Sequence, residues 1–380
     1  MRVAIDIRRA GDFGFGTYTR NILHNLGEID RDTGYLLIGQ RRHFELCSPL
    51  PENFEFFEYQ PAPGSFHTHF ALPFKIRGRV DLLHMPWFYT PAIPPAKMII
   101  TVHDLTELLQ PARGTMPLVQ AGRLFFARRA LRKAARIITV SQTSRRDLAR
   151  TFTVDEGKIE VIYNAVDDGF RTQPLSPDAD LLLERHAATD PYVLYAGSIK
   201  QQKNLPRLIE AFAVAKTELQ SHPEYTNLKL LLIGNALTEH SDLRRAVVRS
   251  RIRGDVRFLG FVPLPVLRVF YARARAFLFP SLYEAFGFPP LEAMAHGTPV
   301  LASNISAMPE VLGEAALRVN PENVFEIARG IVHILTDDAL RRTLIRRGHE
   351  QVEHYSWRRS AEQVHQVYCD VLNGRRGASP

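Results

Sequence analysis

Short runs of apolar residues alternate along the chain with longer amphipathic stretches. RVAIDI, YLLIG, RVDLLH, MIITV, RIITV and IEVIY lie in the first half, and YVLYAG, LKLLLIG, VRFLGF, AFLFP and PVLAS in the second. Runs that are apolar at nearly every position suit strands buried on both faces, and the stretches between them suit crossover helices. The pattern predicts an α/β chain in which a parallel, doubly wound sheet is written twice. Between the two series, FRTQPLSPDADLLLERHAATDPY has prolines and acids but no strand pattern, so residues about 171–190 are expected to join two domains. The expected extents are 1–175 and 176–356, with a C-terminal helix at about 357–375 packing back on the first domain. Ligands of open parallel sheets bind beyond the carboxyl ends of the strands. The site is therefore expected in a cleft between the domains, from the loops after RVAIDI, MIITV, YVLYAG and AFLFP.

At 380 residues and 45% hydrophobic, the chain is too long for one ordinary core. Its two cysteines, Cys47 and Cys369, support neither a disulfide framework nor a thiolate zinc site, and they suit a reducing, cytoplasmic compartment. The opening MRVAIDIRRAG reads as a strand and a loop rather than a signal peptide, and no apolar run reaches the length of about eighteen residues that a spanning helix needs. A net charge of +8 implies an anionic partner. Nucleic acid is the weakest of the candidates, because no zinc-finger spacing or RNA-binding aromatic signature accompanies the charge.

The densest chemistry lies in SLYEAFGFPPLEAMAHGTPVLAS, where Glu284 and Glu292 flank Gly287 and the pair Pro289–Pro290. Paired carboxylates suggest glycoside hydrolysis. The glycine and prolines favour another arrangement, with Glu284 in a loop, a helix beginning at Pro289 or Pro290, and Glu292 in its first turn. The amides of Phe286, Gly287, Phe288 and Leu291 would then surround a helix N-terminus suited to a phosphate. Gly11, Gly14 and Gly16 in RRAGDFGFGTYTRNIL form a loop that can wrap a phosphate or serve as a plain strand-to-helix turn, and the spacing does not fit a nicotinamide dinucleotide fingerprint. His103 of TVHDL ends a strand, where it can bond a sugar hydroxyl or satisfy a buried carbonyl. Lys203 of YAGSIKQQKNL stands at a strand-to-helix junction, as a counter-charge for a diphosphate or as a solvated lysine. His67 and His69 of FHTHF lack further ligands at metal spacing, and His84 ends a strand. In LVQAGRLFFARRALRKAARIITV, helical spacing puts Leu124, Ala127, Ala130, Leu131 and Ala134 on one face. Arg128, Arg129, Arg132, Lys133 and Arg136 fall on the other, with Phe125 among them, as an anionic bilayer or simply water would accept.

Taken together, FGFGTYTRNIL, TVHDL, VIYNAVDDGF, YAGSIKQQKNL, VRFLGFV and the paired-glutamate segment resemble glycosyltransferase family 4 over nearly the whole chain. The resemblance implies the GT-B fold of two facing Rossmann-like domains, an acceptor-binding N-terminal domain and a nucleotide-sugar-binding C-terminal one. It further implies hexosyl transfer with retention and no metal or other cofactor. Glu292 would bind the donor ribose, Glu284 the transferred sugar and Lys203 the diphosphate. Val262, Phe286, Gly287, Phe288 and Leu291 would complete the donor site, His103 would line the sugar pocket, and Gly14 and Gly16 would approach the phosphate or the acceptor. Many members carry arginine after the glycine of the phosphate motif, where this chain has Ser198, so Lys200 is the remaining cation near Lys203. The segments are most similar to bacterial mannosyltransferases of surface polysaccharide synthesis, which implies GDP-mannose as donor and a saccharide or lipid-linked acceptor. That acceptor would be approached at the inner face of the membrane through residues 123–136. A GT-B epimerase or phosphorylase, a noncatalytic nucleotide-sugar module and a nucleic-acid binder are the alternatives.

Overall fold

A computed structural model describes residues 1–109, 116–171, 174–234 and 241–374. The chain forms two compact units. Unit 1 is Met1–Ala165 together with the C-terminal helix that follows Ser356, and unit 2 is Val166–Tyr355.

Among its described residues unit 1 has seven parallel strands: β1 (Arg2–Asp6), β2 (Gly34–Gly39), β3 (Phe54–Glu58), β4 (Leu82–Met85), β5 (Lys97–Val102), β6 (Arg136–Thr139) and β7 (Ile159–Val161). Their order in the sheet is β3-β2-β1-β4-β5-β6-β7. Unit 2 contains six: β8 (Tyr192–Ala196), β9 (Lys229–Ile233), β10 (Val256–Gly260), β11 (Ala276–Phe279), β12 (Val300–Ser303) and β13 (Ala316–Val319), in the order β10-β9-β8-β11-β12-β13. Each sheet reverses direction once, between β1 and β4 and between β8 and β11, and there the diverging loops leave a crevice. Tyr192–Ala196 and Ala276–Phe279 are buried along their whole length, because helices cover both faces. The apolar runs mark eleven of these strands, but β3 and β13 were not among them.

The segment expected as a join is carried by unit 2. Its helix Ala179–Arg185 packs on the helix Leu264–Arg273, Arg268 donates to the Pro174 carbonyl at 3.2 Å, and Arg273 pairs with Asp180 at 2.9 Å. Thr172 and Gln173 of that stretch lie outside the described residues. The basic helix runs from Pro117 to Lys133, so Arg136, expected on its exposed face, is instead the first residue of β6. Ala134 takes extended angles (φ −60, ψ 133) that end the helix, and Arg136 is buried with Glu160 4.0 Å away.

The terminal helix Trp357–Leu372 packs on the first helix, Phe15–Ile29, and is held by a buried polar chain. Tyr368 Oη lies 2.6 Å from His84 Nδ1, His84 Nε2 lies 2.8 Å from Thr101 Oγ1, and Tyr18 Oη lies 3.1 Å from the same hydroxyl. Burial pushes the His84 pKa down to about 3, so the ring is neutral and exchanges only hydrogen bonds. Each of these groups would be costly to bury alone. Tyr368→Phe should therefore lower unfolding stability by about 1–3 kcal/mol, by stranding a ring nitrogen of His84. Urea denaturation checks this, and an unchanged midpoint would show that the hydroxyl contributes nothing net.

Candidate active site

In unit 2 the loops after β8 and β11, the two strands flanking the sheet's reversal, are tied together. After β8 the chain makes a short 3-10 turn, Gln201–Lys203, and Asn204 then takes a left-handed conformation (φ 61) before the helix Leu205–Glu218. Asparagine tolerates that conformation better than most residues. Its buried amide also donates to the carbonyls of Pro280 at 3.0 Å and Pro321 at 2.6 Å. Leu282 N donates to Gln202 O at 2.7 Å. These bonds bring the Lys203 ammonium to 2.5 Å from Glu284 Oε1, with both side chains nearly buried and the ammonium 5.1 Å from the centre of the Phe279 ring. Tyr195, stacked on Phe279, donates its hydroxyl to Ser198 O at 2.8 Å, which fixes the start of the loop. Lys200 is exposed.

The Glu284 backbone is pinned as well. Ser306 Oγ accepts from Glu284 N at 2.9 Å and donates to Glu284 O at 2.5 Å, and Ala307 N donates to the same carbonyl at 3.2 Å. The next helix, Phe288–Ala295, is capped by Gly287 at φ 94. That positive φ favours glycine, and a Cβ there would in addition push the Met308 methyl, 2.4 Å away, aside. The helix begins before the prolines rather than at them, with Pro289 in its second position. Glu292 is thus the fifth helical residue, at the start of the second turn rather than in the first.

Glu292 Oε2 accepts from the Tyr271 hydroxyl at 2.9 Å, and His296 Nδ1 lies 2.9 Å from the Glu292 carbonyl. Phe170, Tyr271 and His296 pack their rings against one another. Burial raises its pKa to about 7, opposed by the Tyr271 hydrogen bond and reinforced by Asp167. Phe286 and Leu291 are buried under the loop, Phe288 is half-buried beside Phe286, and Val262, just beyond β10, is buried. Tyr271 and Ser306, which orient the two glutamates, carry no sequence signal of that task. The left-handed asparagine does carry one, in the KNLP sequence that starts a helix.

In unit 1 the loop after β1 returns over the start of the first helix, whose N-cap is Gly14 at φ 72. Gly16 N donates to Asp12 O at 2.9 Å, and a Cβ on Gly16 would meet the Ala10 carbonyl oxygen at 2.3 Å. A buried ion pair absent from the sequence reading, Arg8–Asp6 at 2.5 Å, braces this loop. The Arg8 guanidinium also donates to the Pro61 carbonyl at 2.7 Å and Thr68 Oγ1 at 2.8 Å. His103, beyond β5, packs edge-on against Phe15 and Tyr18. Burial, with Arg9 and His84 adding to it and a bond to the Pro86 backbone opposing, lowers its pKa to about 3. The ring is neutral, and its buried Nε2 has no hydrogen-bond partner. His69 Nδ1 lies 2.7 Å from the Thr90 carbonyl. Among the described residues no group of three or more His, Cys, Asp or Glu side chains is placed to hold a metal ion, and no helix is long and apolar enough to cross a membrane.

The family model described as Glycosyl transferases group 1 matches residues 184–351, and that described as Glycosyltransferase Family 4 matches residues 39–170. O-antigen chain mannosyltransferase B of Escherichia coli is 31% identical over 287 residues, 76% of this chain and 74% of that protein. Among solved structures, sucrose-phosphate synthase from Thermosynechococcus elongatus aligns with a TM-score of 0.75 at 22% identity, covering 98% of this chain and 100% of that one. Anabaena Alr3699/HepE in complex with UDP-glucose aligns with a TM-score of 0.75 at 19% identity, covering 97% and 100%. These likenesses extend over both units and show the GT-B fold. The sequence matches go further, and the chain belongs to glycosyltransferase family 4.

Proposed function

We propose that the chain transfers mannose from GDP-mannose, with retention of anomeric configuration, to a saccharide acceptor during synthesis of a cell-surface polysaccharide or glycolipid. The sugar follows the name of the Escherichia coli relative, and a nucleotide-sugar donor also suits the Anabaena neighbour solved with UDP-glucose. The observation that carries the reading is the near-buried Lys203–Glu284 pair beside the N-terminus of the helix that bears Glu292.

In this reading the donor diphosphate takes over the Lys203 ammonium, and Glu284, released from it, accepts hydroxyl hydrogens of the transferred sugar. Negative charge grows on the diphosphate as the glycosidic bond breaks, and a preformed cation and helix dipole stabilise it without reorganising. They supply the positive field themselves, so no metal is invoked. Glu292, oriented by Tyr271, accepts from the ribose hydroxyls. The acceptor oxygen attacks from the face that the diphosphate leaves, and a phosphate oxygen takes its proton. A thermal-shift panel of GDP, UDP, ADP and dTDP tests the donor base: a tenfold preference is worth about 1.4 kcal/mol, and a preference for UDP would overturn the GDP assignment.

Glu292→Ala should weaken GDP-mannose binding by about ten- to a hundredfold while the protein stays folded, from the loss of charge-assisted hydrogen bonds. An unchanged dissociation constant would remove Glu292 from the donor site.

Because Glu292 titrates near pH 7, GDP-mannose affinity should rise with pH through about 7 and become flat in Glu292→Gln, as calorimetry across that range would show. The donor diphosphate is a diester with no ionisation of its own in that range. The effect on stability has the opposite sign. The folded carboxyl holds its proton above the ordinary value of 4.5, so stability falls as pH rises from there to about 7.

Lys203→Ala should reduce turnover by about a hundred- to a thousandfold and nucleoside binding far less. Steady-state kinetics with guanosine competition separates the two, and intact turnover would refute the diphosphate role.

A further inference from the structure

The imidazole of His103, just beyond β5, bonds to the Pro86 backbone, and its buried Nε2 has no hydrogen-bond partner among the described residues. Two aromatic rings complete its enclosure. Phe15 meets it edge-on at 4.9 Å and Tyr18 at 4.6 Å, both from the first turn of the helix Phe15–Ile29. Such edge-to-face contacts are individually weak, so they fix the plane of one ring only as well as the other ring is itself fixed.

Tyr18 is fixed twice by the terminal helix of the same unit. Its ring packs on Trp357 at 6.2 Å, and its hydroxyl is the near end of the buried chain through Thr101 and His84 to Tyr368. Tyr18, Thr101, His84 and Tyr368 are each at most 1% exposed, and His84 is neutral, so every link is a hydrogen bond in a low-dielectric interior. Hydrogen bonds weaken steeply when bent, so a chain of them transmits direction as well as attachment. Attachment alone would not need them: apolar groups of the same shape would hold the helix about as well, without the cost of burying four polar side chains. Phe15, by contrast, is half-buried and carries the Arg9 guanidinium over its ring at 3.8 Å. Of the two walls around His103, Tyr18 is the one tied to the interior.

We propose that Tyr18 is a positioning residue for His103, and that the terminal helix, through Tyr368, His84 and Thr101, sets the angle at which the His103 ring is held for the transfer. The inference rests on the reading that His103 serves the proposed reaction. Tyr18→Phe and Thr101→Val each break the chain while keeping its shape, and Thr101→Ser keeps the hydroxyl. Release of mannose from GDP-mannose measures turnover without an identified acceptor. Tyr18→Phe and Thr101→Val should each lower kcat about tenfold with KM within about twofold of wild type, and Thr101→Ser should restore the wild-type rate. In a His103→Ala background, itself slow, Tyr18→Phe should cost nothing further, because a residue that acts through His103 has no second route to the reaction. The second readout is the long-range proton–nitrogen NMR spectrum of histidine-labelled free protein, with His103 assigned by the loss of its signals in His103→Ala. Its ring signals should move in Tyr18→Phe, Thr101→Val and Tyr368→Phe and stay in place in Thr101→Ser. The proposal is overturned if the His103 signals of Tyr18→Phe coincide with those of wild type, or if the Tyr18→Phe loss persists undiminished in His103→Ala, as a merely structural effect would. Wild-type turnover by His103→Ala would overturn it by removing His103 from the reaction. Absence of mannose release from wild type would instead count against the donor assignment, and the spectrum of the free protein then decides the positioning by itself.

Discussion

The chemistry of unit 2 depends on one side-chain amide. Asn204 holds the β8 loop to the carbonyls of Pro280 and Pro321, which follow β11 and β13, and so spans the crevice where the parallel sheet reverses. Strands in such a sheet fix only their own ends, and the loops beyond them must be tied by something other than the ladder. With the amide in place Lys203 and Glu284 meet at 2.5 Å. Without it, an ammonium and a carboxylate on two long side chains would gain too little from each other to fix their loops, because the cost of desolvating them offsets most of their attraction. The ion pair is therefore a consequence of the loop geometry, and the hydrogen bonds of Asn204 and of Ser306 are its cause.

Unit 1 solves the same problem with different chemistry at two depths. At the end of β1 the Arg8–Asp6 pair is ionic and buried, and it is tolerable because the guanidinium also reaches the Pro61 carbonyl and the Thr68 hydroxyl, leaving few donors unmet. One strand further, at His84, the interior carries no counter-charge, and the network is neutral from Tyr18 through Thr101 to Tyr368. The first arrangement fixes a loop that carries Gly14 and Gly16, and the second fixes a helix that arrives from the far end of the sequence. Polar groups at strand ends are held by pairing in both, whereas the strands themselves are held by burial.

Legibility in the sequence followed the range of the interaction. The continuous apolar runs marked eleven strands because a strand covered on both faces declares itself residue by residue. Phe54–Glu58, at the sheet edge, mixes two glutamates with its phenylalanines and is partly exposed, and the short Ala316–Val319 is interrupted by Arg318, so neither reads as a buried run. Helix ends were less certain. Gly287 takes the cap itself and moves the start ahead of the prolines, which displaces Glu292 by part of a turn, and Arg136 left its helix because Ala134 turned extended. The loop residues Lys203, Glu284 and Glu292 could be picked out by their setting. Their supports could not: Tyr271 lies 21 positions from Glu292, Ser306 lies 22 from Glu284, and Asn204 lies 76 from Pro280, separations that no local pattern encodes. In FHTHFALPF the two histidines lack further ligands at metal spacing, and only burial distinguishes the outward aromatics of that helix from core ones.

Two carboxylates eight positions apart invite a hydrolytic reading, and their surroundings decide against it. A glycoside hydrolase needs one carboxyl held protonated to donate to the leaving oxygen and another held free to attack or to activate water across the same bond. Here the carboxyl with the raised pKa, Glu292, is committed to the Tyr271 hydroxyl, while Glu284 is bound to an ammonium that would have to leave before it could act as a nucleophile. Lys203 gives the difference its meaning. A hydrolase whose nucleophile is neutralised by lysine loses reactivity, whereas in the proposed transfer a departing diphosphate would meet a cation at the place where its negative charge develops, with the carboxylate holding that cation in position until then.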